Sequence, residues 1–306
     1  MKFLLVGDMH LRDDQPDCRT DDFREVQRRK LEWLGHLRLE NSPCTVLCAG
    51  DVFHKWRTDD HWLTGWALEH LWLIRNMYCA PGNHDLPYHR MADIDRSAFW
   101  VMLQGGVINQ YCGTSYAKQM GNHCAIEIYG YGETEPCQKT EEPYPTIQIH
   151  HRMVFQKGKP PFPGCKGITS KELLEQNPHA QLILTGDNHQ QFVTLVNGRT
   201  LINPGSLTRQ TSDQRDFVPA VYLVEFLPST TRTLKWEHIP VPIEKDVFKE
   251  PKETPKAEGS AFVEYLQGNT AHLRRLNFRE QMERFLDANP VKKEVRELIM
   301  EALDHG

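Results

Sequence analysis

The chain has 306 residues, with 36 Lys+Arg against 41 Asp+Glu, a formal charge of −5 with neutral His. At 39% hydrophobic and 25% charged it has the balance of a globular protein, long enough for one large domain or a domain with a small appendage. No stretch approaches the roughly 18 apolar residues of a membrane helix, and no general basic coat exists, so a helical membrane span is excluded and any nucleic-acid contact must come from local patches.

Lys2–Val6 reads as a strand that stops at Gly7-Asp8; its apolar run is too short for the h-region of about 7–15 residues in a signal peptide, so a cytoplasmic protein is expected. Thr20 or Asp21 can cap a helix to about Leu39, with Phe23, Val26, Leu31, Leu34 and Leu37 on its apolar side. Thr45–Ala49 is a second strand, Asp59 to Arg75 a helix, and Met77–Ala80 a third strand. This opening implies a mostly parallel, buried sheet with helices packed on it. Farther on, Ala125–Tyr131, Thr146–His150 and Leu182–Thr185 read as strands. Val193–Val196 and Thr200–Ile202 flank the hairpin signal Asn197-Gly198, and Ala220–Phe226 with Thr231–His238 makes another antiparallel pair. The expected fold is α/β, a two-sheet sandwich with helices outside, over residues 1–242. Residues 243–259, rich in Lys, Glu and Pro, read as a charged linker, and 260–306 as an appendage of amphipathic helices broken at Asn289-Pro290. The eight cysteines contain no CxxC pair, which favours free thiols in a reducing compartment over a disulfide framework or a Cys-ligated zinc.

The chemistry gathers at strand ends, where open α/β sheets build sites. There lie Gly7-Asp8-Met9-His10, Gly50-Asp51-Val52-Phe53-His54, Gly82-Asn83-His84-Asp85, His150-His151 and Gly186-Asp187-Asn188-His189. Each alone would pass for a polar turn; five in order, each closing an apolar run, would not. Asp and His with an amide and no Cys make a mixed oxygen/nitrogen donor set, suited to Mn, Fe or Zn. Seven candidate ligands are too many for one tetrahedral ion and suit two, and a pair of ions clamps a phosphate and activates a water against it.

The order GDxH, GDxxH, GNHD, a strand-end His and GDNH resembles the calcineurin-like metallophosphoesterases. Within them it is most similar to the double-strand-break-repair nucleases, the branch that holds the nuclease subunit of SbcCD and its phage counterparts. His54 in GDVFH, Asp85 closing GNHD, and Asn203-Pro204-Gly205-Ser206-Leu207 with Arg209 carry that likeness, over about residues 1–227. The resemblance implies a four-layer αββα metallophosphoesterase sandwich. It implies Asp8, His10 and His189 on one ion, Asp51 bridging, and Asn83 and His150 on the second. The family usually has His-x-His where this chain has Asp187-Asn188-His189, and Asp187 is assigned to the second ion as a hard ligand. His84 would be the catalytic His and His54 would contact the phosphate. The implied cofactors are two divalent ions, Mn2+ in the nucleases, with Mg2+, Fe2+ or Zn2+ as alternatives. His151 lies beside His150, and neighbours on a strand face opposite ways, so one of the two is a ligand and the motif favours His150.

On the substrate side, residues 152–215 hold eight Lys+Arg against four Asp+Glu. Lys157, Lys159 and Lys166, then Arg209 and Arg215, could form a rim for a phosphate backbone or be an ordinary solvated loop. Tyr88, His89 and Arg90 could touch a phosphate or sugar. Trp62, Trp66 and Trp72 lie at helical spacing and are expected in the core. The resemblance implies a DNA nuclease in a recombination or repair complex, with DNA as substrate, an SMC-like ATPase docked on the C-terminal helices, and a homodimer. A hydrolase of small phosphoesters is the alternative on the same site, and a non-catalytic scaffold on the same fold a third; the complete ligand set speaks against the last.

Overall fold

The computed structural model describes residues 1–58, 61–111, 113–119, 122–133, 145–156, 160, 165–226 and 234–250, with 286, 287, 293, 295–297 and 300. The chain divides into a unit of Met1–Lys249 and a unit of Glu250–Gly306. The helical patterns expected over 260–306 lie almost wholly outside the described residues, as do Lys157 and Lys159.

In the first unit the strands are β1 (Lys2–Val6), β2 (Cys44–Cys48), β3 (Met77–Cys79), β4 (Ile108–Gln110), β5 (Gly113–Gln119), β6 (Asn122–Tyr129) and β7 (Thr146–His151). They continue with β8 (Val154–Phe155), β9 (Ile168–Thr169), β10 (Ala180–Gly186), β11 (Phe192–Val196), β12 (Arg199–Asn203), β13 (Ala220–Phe226) and β14 (Leu234–Pro240). The helices are α1 (Phe23–Glu40), α2 (His61–Leu71), α3 (Ala98–Gln104) and α4 (Ser170–Gln176). One sheet runs β14-β13-β1-β2-β3-β4 and the other β11-β12-β10-β7-β6-β5, with β8-β9 a small pair apart. The central strands are parallel, as in β1 with β2 and β7 with β10, and the hairpins add antiparallel edges.

Three apolar layers hold this together. Phe3, Leu5, Leu47, Ile126, Ile147, Ile149, Leu182 and Ile202 fill the space between the sheets. The opposite faces of the first sheet, Leu4, Val6, Val46 and Cys48, pack on Leu31 and Leu34 of α1, Ala67 of α2 and Phe99 of α3. Leu173 and Leu174 of α4 cover Ile183 and Leu201 of the second sheet. Strands buried on both faces read as continuous apolar runs, which is why they were visible in sequence. The result is the expected four-layer α/β sandwich. Leu63, Ala67 and Leu71 form the buried stripe of α2, so Trp62 and Trp72 are pushed outward, 38% and 47% exposed, against the expectation of a core position.

The expected linker does not begin at residue 243. Val241 donates its backbone N–H to Pro219, Thr20 to Val247, and Lys249 to Cys18 (2.8, 2.9 and 2.8 Å). Phe248 explains why this charged stretch packs: the guanidinium carbons of Arg19, Arg209 and Arg215 lie 5.2, 5.1 and 5.6 Å from its ring centre. Removing the ring takes away the apolar body on which three cations rest. Phe248→Ala is expected to cost about 2–4 kcal/mol, read as a fall in the midpoint of chemical denaturation at unchanged slope.

Candidate metal centre

β1, β2 and β3 deliver Asp8-to-His10, Asp51-to-His54 and Asn83-to-Asp85 to one edge of the first sheet; β7 and β10 deliver His151 and Asp187-to-His189 to the second. The two sets meet. Asp8 is fully buried and accepts the Asp187 N–H at 3.0 Å. His10 Nε2 lies 3.0 Å from His189 Nε2 and 3.5 Å from Asp51 Oδ2, and Asp8 Oδ2 is 3.6 Å from His189 Nε2. On the other side, His151 Nε2 lies 3.1 Å from Asn83 Oδ1 and 3.5 Å from Asp51 Oδ2. Asp51 therefore stands between two groups, Asp8/His10/His189 and Asn83/His151. His10, Asp51 and Asp187 all hold left-handed backbones (φ 47°, 44° and 74°), a strain that concentrates at functional sites.

The surrounding chain fixes these positions. The carbonyl of Asp51 accepts the N–H groups of Met9 and His10 (3.1 and 2.8 Å). The Asn203–Leu207 turn brackets Asp8, with Leu207 N–H donating to its carbonyl at 2.8 Å, and Gln210 holds the His10 carbonyl at 2.9 Å. Asp85, which the sequence offered only as a family mark, is fully buried and accepts three backbone N–H groups, from Val52, Phe53 and Gly82 (3.1, 3.0 and 3.0 Å). Burial and the Asp51 charge push its carboxyl up to about 7, against the pull of those donors. It ties the second strand end to the third. Asp85→Ala leaves three buried donors unpaired at roughly 1–3 kcal/mol each, so a loss of most of the stability is expected in a urea melt, with Asp85→Asn milder.

Where the sequence favoured His150, the structure brings His151 to the centre. Ile147, Ile149 and His151 share the face turned between the sheets; Gln148 and His150 take the other. There His150 stacks on Tyr129 (centroids 4.0 Å apart, 12°) and meets Gln148 Oε1 at 3.0 Å, and burial pushes its pKa down to about 3. The parity of the two isoleucines was the signal that could have decided it. Arg209 is also not a substrate contact: it is 5% exposed, donates to the Arg215 carbonyl at 2.7 Å and to the Glu244 carbonyl, and packs on Phe248. Arg90 is exposed and paired with Asp93 at 3.2 Å. Tyr88 is exposed beside the centre. Arg215 caps the Lys249 carbonyl at 2.6 Å.

The catalytic candidates lie against this cluster. The ring centres of His84 and His10 are 4.8 Å apart, and His84 stacks on His54 at 5.5 Å and 22°. The His84 N–H donates to Asp51 Oδ1 at 2.9 Å, and its Nδ1 lies 2.7 Å from the His54 carbonyl. A carbonyl only accepts, so Nδ1 carries a proton and Nε2 is left for a ligand. Burial and the Arg12 charge hold His54 down at about 4, and burial lowers His10 and His189 in the same way, so these imidazoles are neutral at pH 7.

The same logic tests whether ions fit. His151 Nδ1 is 3.0 Å from the Ala49 carbonyl, so it carries the proton and Nε2 presents a lone pair. That lone pair faces the oxygens of Asn83 and Asp51, three electron-pair donors with no hydrogen among them. Asp8 Oδ1 is buried with no hydrogen-bond partner among the described residues. Burial and the neighbouring Asp51 raise the Asp8 carboxyl well above its usual range, and burial pushes Asp51 up to about 6. Buried carboxylates and inward-facing lone pairs leave this centre short of positive charge, which divalent cations would supply. The space is also reserved: a Cβ on Gly82 would sit 2.0 Å from Asp51 Oδ1, and one on Gly186 2.4 Å from Asp8 Oδ1.

The sequence model of the calcineurin-like phosphoesterase family matches residues 1–191. The chain belongs to the calcineurin-like phosphoesterases. A comparison with the curated proteins finds no match. Among solved structures, this phosphoesterase is similar to a novel archaeal phosphodiesterase, at 11% identity over 78% of this chain and 100% of the other, TM-score 0.40. It is similar to the TT1561 protein of Thermus thermophilus, at 14% identity over 78% and 98%, TM-score 0.45. It is also similar to zinc-complexed Vps29 of Entamoeba histolytica, at 14% identity over 79% and 100%, TM-score 0.35. The family indicates hydrolysis of phosphoesters with divalent metals, and the Asp/His groups of this phosphoesterase could hold them. Among the described residues no helix is long and apolar enough to cross a membrane.

Proposed function

We propose that this phosphoesterase is a two-metal phosphodiesterase acting on DNA, the nuclease of a recombination or repair complex. The observation that supports it most is the pairing of a bridging carboxylate with two facing donor groups, while His84 donates its backbone N–H to the same carboxylate and stacks on His54. Asp8, His10, Asp51 and His189 would hold one ion, and Asp51, Asn83 and His151 the other, with Asp187 beside them, its carboxyl raised by burial. Bound there, two divalent ions supply a charge clamp on the phosphate and a more acidic water.

The chain's own residues do the rest. His84, aimed by the His54 carbonyl, presents Nε2 to the phosphate; as the doubly protonated imidazolium it gives the Nε2 proton to the departing oxygen and keeps the Nδ1 proton on the His54 carbonyl. Neutral His54 presents its ring beside it without adding charge. Asp85 keeps both loops in register during the reaction. The replacement of a second His by Asp187 adds negative charge and favours Mn2+ over Zn2+. In the same reading the C-terminal helices would dock an SMC-like ATPase, and the nuclease would work as a dimer.

The test is Mn2+-dependent degradation of end-labelled linear DNA, single- and double-stranded, by the full chain. Cleavage that EDTA abolishes is expected. Hydrolysis of small phosphoesters with both DNAs left intact would replace the nuclease reading by the small-substrate one.

A further inference from the structure

One stretch, His54-Lys55-Trp56-Arg57, leads out of the centre onto the surface, and the reaction as derived uses only its first residue. Lys55 and Arg57 are exposed and, with Arg12 and Asp14, line a cleft that opens beside His54. Arg12 already grips Asp14 through two hydrogen bonds of 2.7 Å, whereas Lys55 stands 3.8 Å from that carboxylate. Trp56 is fixed through its carbonyl, which accepts the Ala98 N–H at 3.0 Å. Its ring centre lies 5.9 Å from that of Tyr88, at 44°.

Tyr88 is the unexplained residue. It is 71% exposed and holds a left-handed backbone (φ 53°), as does His89 after it (φ 56°). His89 anchors the turn by bonding the Asn83 carbonyl at 3.0 Å. A bulky residue in this conformation costs on the order of 1–3 kcal/mol, and so exposed a phenol recovers little of it by burial. The strain sets an aromatic face in solvent, one turn from the catalytic His84 and against Trp56.

We propose that Trp56 and Tyr88 form a stacking platform for an unpaired base next to the scissile phosphate, with Lys55 and Arg57 taking the following phosphates, so that the substrate of the centre is a single-stranded polynucleotide. Aromatic faces interleaved with cations hold single strands regardless of sequence. In a duplex both faces of a base are covered by its neighbours, so such a platform selects single strands and frayed ends. This inference rests on the nuclease reading.

The test crosses a protein change with a substrate change. Cleavage of a single-stranded oligothymidylate is compared with cleavage of the same strand carrying one abasic residue, stepped along the chain, by wild type, Tyr88→Ala and Tyr88→Phe. At one position the missing base is expected to lower wild-type kcat/KM about tenfold. Tyr88→Ala should lose about as much on the intact strand and nothing more at that position, and Tyr88→Phe should restore the loss. Losses that multiply, or a Tyr88→Ala variant that cleaves the intact strand like wild type, overturn the platform while the nuclease stands. A wild type that cleaves no oligonucleotide removes both.

Discussion

Replacing His151 by alanine is expected to lower metal-dependent phosphodiester hydrolysis by roughly 10²–10³-fold, the scale of losing one preorganised electrostatic contact in a dry site. His151 Nε2 faces both Asn83 Oδ1 and Asp51 Oδ2, and its Nδ1 proton is committed to the Ala49 carbonyl. No other described imidazole can take that place, because the strand turns His150 to the opposite face. His150→Ala should do something different in kind. It removes a buried ring from the face of Tyr129, so about 2–4 kcal/mol of stability is lost, while the molecules that remain folded keep their hydrolytic rate. Side-by-side assays at a temperature where both variants are folded, with urea melts of each, check the pair. If His150→Ala abolishes turnover of folded protein and His151→Ala does not, the assignment is reversed.

The second large effect belongs to His84. His84→Ala is expected to lower kcat about 10²–10⁴-fold with the metal content unchanged, because the backbone N–H that supports Asp51 survives the substitution. A proton donor matters most when the departing oxygen is basic. The loss should therefore be largest for nucleoside phosphodiesters and smallest for esters of 4-nitrophenol, whose anion leaves unaided. Equal losses on both would mean that His84 binds the phosphate without transferring a proton. Rates on the two ester classes, with elemental analysis of the variant, decide between these.

Much of the fold was legible because burial writes itself as runs. β1 was read to the residue, and β2, β3 and β10 within about two, since strands covered on both faces leave no polar interruptions; the β11–β12 hairpin, part of it exposed, was marked by its Asn197-Gly198 turn. The elements that escaped are short or weakly patterned. β4 spans three residues, and α4 has only Leu173 and Leu174 as its apolar side, although the Thr169-to-Glu172 capping box marked its start. The site was legible as a set of strand-end clusters, and the structure brings Asp8, His10, Asp51, Asn83 and His189 together. What failed were choices needing a third dimension. Arg209 looked like a phosphate contact because an arginine after a Gly-Ser turn near a metal site is drawn there by charge; nothing local said that Phe248, 39 positions on, would cover it. Asp85 could not be told from a polar loop residue without seeing three amides converge on it.

The sharing of Asp51 by two ions is tested most directly by stripping the 306-residue chain with EDTA and titrating Mn2+ by calorimetry, beside His151→Ala. Two equivalents bound by wild type and one by the variant are predicted, with a higher melting temperature on loading because only the folded state gathers the ligands. Binding of a single equivalent by wild type, or the same stoichiometry in the variant, would contradict a dinuclear centre built on these residues.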